Sequence, residues 1–577
     1  MGGIGVIAVT ASGRAAARRL VAAWPGEAEV VSGERPADAL RAAFTRHSAV
    51  VSFLAVGATV RVLAPLLAGK HTDPPVVCVD ESLRFAVAVL GGHHGGNDLA
   101  HRVAAVLGCT PVVTTASDTA AATPLDSYGA DLGLTVADPA PLASVGTAVL
   151  SGDPVRLEGA AGWPLPPLPE NVAPDVPYPA AVIRVTDHVA AARGGVPTVV
   201  YRPPSLVVGV GSARGVAAEE VGAVVEAALA SAGLAREAVR AMATLDLKSA
   251  EPGILAAAAE RGWPLLSYPA AELAAVDVPN PSEVVRAEVG TPSVAEAAAL
   301  RAATDLGSAA ELVAPKRKSA NATAAVARLR PRGRLAVVGL GPGARDLVPP
   351  RALDELRRAS VVVGLDQYVA QIRDLLRPGT RVLASGLGRE EERARTAVRE
   401  ARAGAAVALV GSGDAGVYAM ASPALDFAGS DIDVIGVPGI TAAVAAASLL
   451  GAPLGHDHAY ISLSDLHTPW EAIERRIRAA AEGDFTVCLY NPRSRRRDWQ
   501  LARALDLLAE HRPPETPVGH VRNASRDGER TVLSTLAEMR AGGADAVDMF
   551  TVVLVGSSAS RVVGGRFVTP RGYRWRE

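Results

Sequence analysis

The sequence predicts a multidomain α/β protein, with two small α/β domains separated by a middle insert and followed by a larger α/β unit. Three observations carry that prediction. The 577 residues exceed what one hydrophobic core organises. Apolar residues make up 49% of the chain but aromatics only 4%, so the core must be built from Val-rich strands under Ala-rich helices. Short Val-rich runs also alternate with helix-period stretches, which is the pattern of βαβ units.

Taken in order, residues 3–10 read as a first strand and lead into an Ala/Arg-rich helix. Strands follow at 49–55 and 76–79, with helices at 61–67 and 97–107, and this domain closes near Ser117. From about 118 to 201 the periodicity weakens and proline rises, as in Trp163-Pro-Leu-Pro-Pro-Leu-Pro, leaving a middle insert with a strand at 181–185. A second α/β unit opens with a strand at 206–211 and runs through 242–246 to about Arg328. Residues 315–334, basic and poor in large apolar side chains, read as the approach to a domain boundary. Beyond it, strands at 335–338, 360–363, 406–410, 434–437 and 487–490 alternate with helices, and 551–555 closes the series. The expected domains are 1–120, 121–203, 204–328 and 329–577.

A net charge of −2 and a pI near 6.6 supply no basic field for nucleic acid or an anionic membrane, so neither is an expected partner. No basic leader precedes the first strand and no apolar run reaches spanning length, which makes the cytoplasm the expected location. Cys78, Cys109 and Cys488 lie far apart, so no disulfide framework, zinc knuckle or other metal centre is expected. Lysine is confined to Lys70, Lys248, Lys316 and Lys318. An Arg-rich surface suits multiply carboxylated ligands, because a guanidinium forks a carboxylate.

Four Gly-rich strand ends recur in the last part of the chain: Gly339-Leu-Gly341-Pro342-Gly343, Gly411-Ser412-Gly413-Asp414-Ala-Gly416-Val417-Tyr418, Val437-Pro438-Gly439-Ile440-Thr441-Ala442, and Leu489-Tyr490-Asn491-Pro492-Arg493. Glycine at such turns supplies positive φ or lets a ligand approach the backbone, and together they describe one cofactor cleft. The spacing is not that of a dinucleotide fingerprint, and no Gly-Lys-Ser/Thr follows to make a phosphate loop.

Together with Ser462-Leu-Ser464-Asp465-Leu466-His467-Thr468-Pro469-Trp470, this ordered set resembles the tetrapyrrole methylase family over about 334–573. Within it, the set is most similar to the branch that methylates C17 of precorrin-3B and contracts the macrocycle. The resemblance implies two α/β subdomains with S-adenosyl-L-methionine in the cleft between them, a precorrin or cobalt-precorrin substrate, and a homodimer formed through the methylase domain. It places cofactor contacts at Pro342, Ser412, Gly413, Asp414, Val417, Thr441, Ala442, Asn491 and Ala524. Methyl transfer from a sulfonium needs mainly alignment and exclusion of water. Ring contraction also needs a proton removed, for which Asp465, His467 and Asp414 are candidates; His467 stands where the family usually has an apolar residue. Arg493 and Arg495, in a run with Arg496 and Arg497, and Arg522, Arg526 and Arg530 after a second strand end, are either a solvated face or the groups that grip the substrate's carboxylate arms.

Earlier in the chain stand Gly57-Ala-Thr59-Val60-Arg61, Lys70-His71-Thr72-Asp73, Gly91-Gly92-His93-His94-Gly95-Gly96-Asn97, and Thr114-Thr115-Ala-Ser117-Asp118. His94 and His101 are seven apart but lack a third ligand, and Asn97 reads as a helix cap. Further on come Gly209-Val-Gly211-Ser212-Ala-Arg214-Gly215, Asp246-Leu-Lys248-Ser-Ala-Glu251, Gly290-Thr-Pro-Ser293-Val-Ala-Glu296, and Lys316 with Thr323.

These segments resemble, over about 3–327, the hydrolases that open the ring A lactone of cobalt-precorrin-5A and release a two-carbon aldehyde. Ser212 stands where cysteine is common in that family. Lactone opening needs a base and a donor for the oxyanion. The resemblance therefore implies Glu251 or Glu296 as base, Lys248 or Lys316 for charge, and Lys316, His94 and Asn97 against substrate. Lys248 and Glu251 equally suit a surface salt bridge. Two functional readings stand open: a bifunctional enzyme, or an active methyltransferase carrying an N-terminal corrinoid-binding module. A methyltransferase acting on nucleic acid or protein is opposed by the charge balance and by the absence of interleaved aromatic and basic residues.

Overall fold

The computed structural model describes residues 3–69, 72–113, 122–189, 195–494 and 497–572, with the side chains of His93 and His94 outside that description. The chain forms two compact units. The first comprises Met1–Gly159, Leu168–Thr186 and Ala190–Pro203, and the second Ala160–Pro167, Asp187–Val189 and Pro204–Glu577.

The first unit opens with a six-stranded sheet in the order Ala28–Val30, Ile4–Ile7, Ala49–Ser52, Val76–Val79, Phe85–Leu90, Thr110–Val112. Its central strands are apolar throughout because helices cover both faces. Leu20 and Val103, from the helices Ala11–Ala23 and Asn97–Leu107, fill one side, while Leu40, Phe44 and Leu63 fill the other. Two sequence expectations are corrected here. The helix expected at 61–67 is Val56–Leu63, and it tightens into a single 3-10 turn at Ala64–Leu66 where Pro65 cannot donate to the α ladder. Asn97 does not cap its helix: a π turn at Gly92–Gly96 runs into it, so Asn97 is already helical, with φ −67 and ψ −44.

The remainder of this unit is a five-stranded sheet ordered Thr135–Val136, Thr198–Arg202, Ala181–Val185, Val155–Glu158, Val172–Ala173, packed under the helix Leu142–Ser151. The expected strand at 181–185 is its centre. The edge strands are two residues long, too short to leave a period in the sequence.

The second unit begins with a five-stranded sheet ordered Leu265–Tyr268, Val239–Leu245, Leu206–Ser212, Ala322–Arg330, Ala309–Lys318, in which the first three strands are parallel. Residues 315–334, read above as the approach to a boundary, are therefore mostly strand. Ala322–Arg330 lies inside the sheet, and its run of small residues reflects a helix packed unusually close. A Cβ added at Gly209, on the neighbouring strand, would fall 1.9 Å from the carbonyl of Ala295, where the helix Ala295–Leu306 begins. Alanine and glycine are what such a short distance admits.

A three-stranded sheet, ordered Gly451–Ala452, Arg566–Val568, Arg561–Val563, and two more five-stranded sheets complete the unit. Of the latter two, one is wholly parallel, ordered Arg381–Ser385, Val361–Leu365, Ala406–Gly411, Gly333–Gly339, Ile432–Val437. The other, His458–Ser462, Thr486–Tyr490, Thr551–Val555, Pro517–Arg522, Arg530–Thr535, is parallel only in its first pair. Both sheets are covered on two faces, so their inner strands, such as Ala406–Gly411 and Thr551–Val555, are apolar without alternation. No helix among the described residues is long and apolar enough to cross a membrane.

The parallel sheet is anchored by an ion pair between Arg334 and Glu355, whose Nη2 and Oε1 lie 2.8 Å apart; Glu355 is only 6% exposed. Burial by itself would raise the Glu355 pKa, but the guanidinium outweighs it and holds the carboxyl below its usual range. A depressed carboxylate contributes stability above its unfolded pKa of about 4.3 and loses it as pH falls through the folded value. The thermal midpoint of Glu355→Gln is therefore expected to fall less than that of the parent between pH 7 and pH 4.

Candidate active site

Three glycine turns leave the carboxyl ends of adjacent parallel strands, Gly333–Gly339, Ala406–Gly411 and Ile432–Val437, and meet at backbone contact. A Cβ on Gly339 would lie 2.8 Å from both Gly413 O and Gly439 N, and one on Gly439 would lie 2.1 Å from Gly413 O. Gly341 and Gly413, at φ 75 and 69, exchange backbone hydrogen bonds of 3.1 and 2.7 Å. Asp414 fastens the arrangement: Oδ1 accepts from Gly416 N at 2.8 Å, and Oδ2 accepts from Gly439 N at 2.9 Å. Each oxygen keeps a lone pair for a further donor.

The antiparallel sheet closes the cleft from the other side. The Tyr490 hydroxyl accepts from Ala443 N at 2.9 Å and bonds Thr441 Oγ1 at 2.6 Å. It caps the helix Ala442–Leu450, a task the N-cap Thr441 side chain does not perform itself. Burial pushes the Tyr490 phenol up to about 12, so it stays a neutral bridge. Tyr418, held at φ 52, donates to Tyr460 O at 2.7 Å, and its ring centroid is 5.3 Å from that of Tyr490. Asn491, at φ 50, donates to Ser462 Oγ at 3.0 Å.

Ala524 is 9% exposed and sits between Asn523 and Ser525, both at positive φ. That strained turn aims Arg526 across the cleft, where Nε donates to Pro342 O at 2.5 Å and Nη2 to Ser412 Oγ at 2.6 Å. Beside this clasp lies a cleft of about 660 Å³ lined by residues that include Gly343, Ala344, Gln371, Asn523 and Arg526.

These contacts bring Pro342, Ser412, Gly413, Asp414, Thr441, Ala442, Asn491 and Ala524 to one junction, and Val417 stands on the turn between Gly416 and Tyr418. Sequence reasoning placed Arg526 only in a general Arg group and gave Tyr490 no role. The available signals were an Arg two positions beyond Ala524 and a Tyr directly before Asn491. Tyr490→Phe removes the acceptor for Ala443 N and is expected to cost about 1 kcal/mol, read as a lowered thermal midpoint and weaker cofactor uptake.

Asp465 is exposed on the turn after His458–Ser462, and its Oδ2 accepts from Gln500 Nε2 at 2.9 Å. Arg493 donates to Ala544 O at 3.3 Å and pairs with Asp545 at 3.1 Å. Arg497 instead reaches the cleft turn, donating to Asn491 O at 3.0 Å. Arg495 lies outside the described residues, as do Arg496, Lys70, His71 and 114–121.

A second cluster sits at the carboxyl edge of the strands Leu206–Ser212 and Val239–Leu245. Glu296 is fully buried: Oε1 accepts from Asn280 Nδ2 at 2.8 Å and Lys316 N at 3.0 Å, and Oε2 from Asn280 N at 3.2 Å. Lys316 Nζ returns to Asn280 O at 2.8 Å. Glu251 accepts from Gly215 N at 2.6 Å, and no Lys248–Glu251 ion pair forms among the described residues, although both are half-buried. Glu251 immediately precedes the helix Pro252–Arg261, which packs on one face of the sheet, whereas Glu296 belongs to Ala295–Leu306, which packs on the other. The two candidate bases are not brought together. Ser212 Oγ, at the end of its strand, is buried without a hydrogen-bond partner among the described residues. The half-buried Asn97 belongs to the first unit, and the side chain of His94 is outside the description.

Parallel strands ending in glycine turns that touch one another define a small-molecule-binding α/β cleft, since ligands of such sheets sit at the strands' carboxyl ends. Residues 334–540 match the family model for Tetrapyrrole (Corrin/Porphyrin) Methylases, 206–327 that for the Cobalamin synthesis G C-terminus, and 38–118 that for the Cobalamin synthesis G N-terminal domain. A Salmonella typhimurium protein named "Probable cobalt-factor III C(17)-methyltransferase" is 46% identical over 242 residues, which are 41% of this chain and 99% of that one. The Precorrin-3B C(17)-methyltransferase of a Sinorhizobium species is 40% identical over 237 residues, 40% of this chain and 91% of its own. The crystal structure of the methyltransferase CobJ is 40% identical, covering 41% of this chain and 100% of that one at a TM-score of 0.39. The chain belongs to the tetrapyrrole methylase family, with the two cobalamin synthesis G domains preceding the methylase region.

Proposed function

We propose that residues 329–577 transfer a methyl group from S-adenosyl-L-methionine to C17 of precorrin-3B or its cobalt form, with contraction of the ring. The observation that carries this reading is the contact of Gly339, Gly413 and Gly439, a cradle any Cβ would fill, in a chain whose relatives are named as C17-methyltransferases. When bound, the cofactor supplies an activated methyl group. The chain's own share is positional: the turns at Pro342, Ser412, Gly413, Val417, Thr441 and Ala442 offer backbone to a ligand, and Asp414 keeps them in register. Asn491 and the buried Ala524 border the same junction, and Arg526 ties its two sides together and limits water. Asp465 at the rim is the group assigned to take a proton during contraction, with Arg497 rather than Arg493 placed to meet a carboxylate arm.

For the preceding domains, 1–120, 121–203 and 204–328, the reading is hydrolysis of the ring A lactone of cobalt-precorrin-5A with release of acetaldehyde. Glu251 is better placed than Glu296 to act as base, because the Glu296 oxygens are spent on Asn280 and Lys316. Lys248, without an ion pair to Glu251, is the group assigned to the developing oxyanion. A cytoplasmic homodimer joined through the methylase domain belongs to the same reading, and light scattering tests its mass.

The decisive experiment incubates the full chain with S-adenosyl-L-methionine and precorrin-3B, with and without cobalt, and follows product mass. A gain of one methyl supports the reading, and absence of both turnover and calorimetric cofactor uptake overturns it. An aldehyde-release assay beside titration with the lactone intermediate separates the two N-terminal readings: binding without release makes those domains a corrinoid-binding module.

A further inference from the structure

The antiparallel sheet carries a second cavity on the face turned away from the helix Ala442–Leu450. Gly519 and Val521 of the strand Pro517–Arg522 face that helix, whereas Val518, His520 and Arg522 face the opposite way. The cavity on this far side, about 220 Å³, is lined by His520, Arg522, Arg530, Ser534 and the apolar Val532 and Met539, among others. It holds one small molecule and excludes a macrocycle.

Two features of this cavity lack an internal explanation. His520 is 6% exposed, yet its Nδ1 has no hydrogen-bond partner among the described residues. A buried polar atom left open this way costs free energy unless something outside the chain meets it. Arg522 and Arg530 are also directly opposite across the antiparallel pair, on the same face, which sets like charges together. Arg522 is answered by Asp548 at 2.7 Å, but Arg530 has no ion pair among the described residues. Glu538 lines the cavity too, and its Oε2 is engaged by Thr535 N in a capping box.

We propose that this cavity is a carboxylate-binding site, separate from the candidate active site. The carboxylate lies between the Arg530 guanidinium and the His520 ring, and a short apolar body packs on Val532 and Met539. A guanidinium fork and a neutral imidazole N–H both donate to one carboxylate, relieving the like-charge pair and the open ring nitrogen together. The carboxylate comes either from a free small acid or from one arm of a polycarboxylated tetrapyrrole.

The test labels histidine with ¹⁵N in the full chain and titrates it with sodium propionate, inorganic phosphate and a porphyrin octacarboxylate. The His520 signal is assigned by its loss in His520→Phe. Saturable movement of that signal with propionate, weakened about tenfold in Arg530→Gln as expected for loss of a charged hydrogen bond, supports a free-acid site. Movement with the porphyrin octacarboxylate alone, equally sensitive to Arg530→Gln, supports a seat for a tetrapyrrole arm. Arg530 is exposed, so that variant keeps the fold even if His520→Phe does not, and the signal that Arg530→Gln attenuates then serves as the reporter. If no carboxylate moves a ring signal, or if the response is the same in Arg530→Gln, the proposal fails and the cavity holds only water.

Discussion

Gly439→Ala is expected to abolish uptake of S-adenosyl-L-methionine, while Gly436→Ala, on the strand that leads into this turn, leaves it unchanged. A Cβ at 439 would fall 2.1 Å from Gly413 O and 2.8 Å from Gly339 C, whereas one at 436 meets nothing within 4 Å. Both clashes at 439 are with backbone, which cannot rotate away as a side chain does. The three turns must separate by roughly an ångström, and misplacement on that scale typically costs about 100-fold in rate. Separation also lengthens the Gly439 N to Asp414 Oδ2 bond of 2.9 Å, adding to an overpacking cost of about 1–3 kcal/mol. Calorimetric titration of both variants, with thermal midpoints measured with and without the donor, checks this. Normal affinity in Gly439→Ala would mean the cofactor does not use these turns.

Glu296→Ala is expected to be among the most destabilising single substitutions in the second unit, at about 3–5 kcal/mol. The carboxylate is fully buried, and its removal strands Asn280 N, Asn280 Nδ2 and Lys316 N together. Loss of aldehyde release should then accompany loss of structure, seen as fast amide exchange at Asn280 and Lys316. Glu251→Ala should behave differently. It frees only Gly215 N on an exposed turn, so activity should fall with little change in the unfolding midpoint. A Glu296→Ala protein that unfolds at the parental denaturant concentration would sink the positioning role.

The contrast between these glutamates shows where sequence reading runs out. Glu251 and Glu296 look equivalent as acidic residues that close short motifs. Burial and the choice of sheet face separate them, and both depend on which helix packs on which side. The segment 315–334 misleads for a related reason. Its small, basic composition reads as the approach to a boundary, yet Ala322–Arg330 is an inner strand whose side chains are small because Ala295–Leu306 lies so near. Arg493 shows the same limit, since its neighbourhood on the Asn-Pro turn suggested the cleft but its guanidinium pairs with Asp545.

By itself the sequence determined the α/β class, the order of the cleft turns and membership of the methylase family. These rest on local requirements: apolar period, glycine where φ is positive, and motif order along the chain. Only the tertiary structure decided that Gly339, Gly413 and Gly439 touch, and that Tyr490 caps the helix opened by Ala442. It alone also showed Arg526 spanning 184 residues of sequence to reach Pro342. Such contacts join segments whose separation in space is set by packing between layers, and no local pattern encodes that distance.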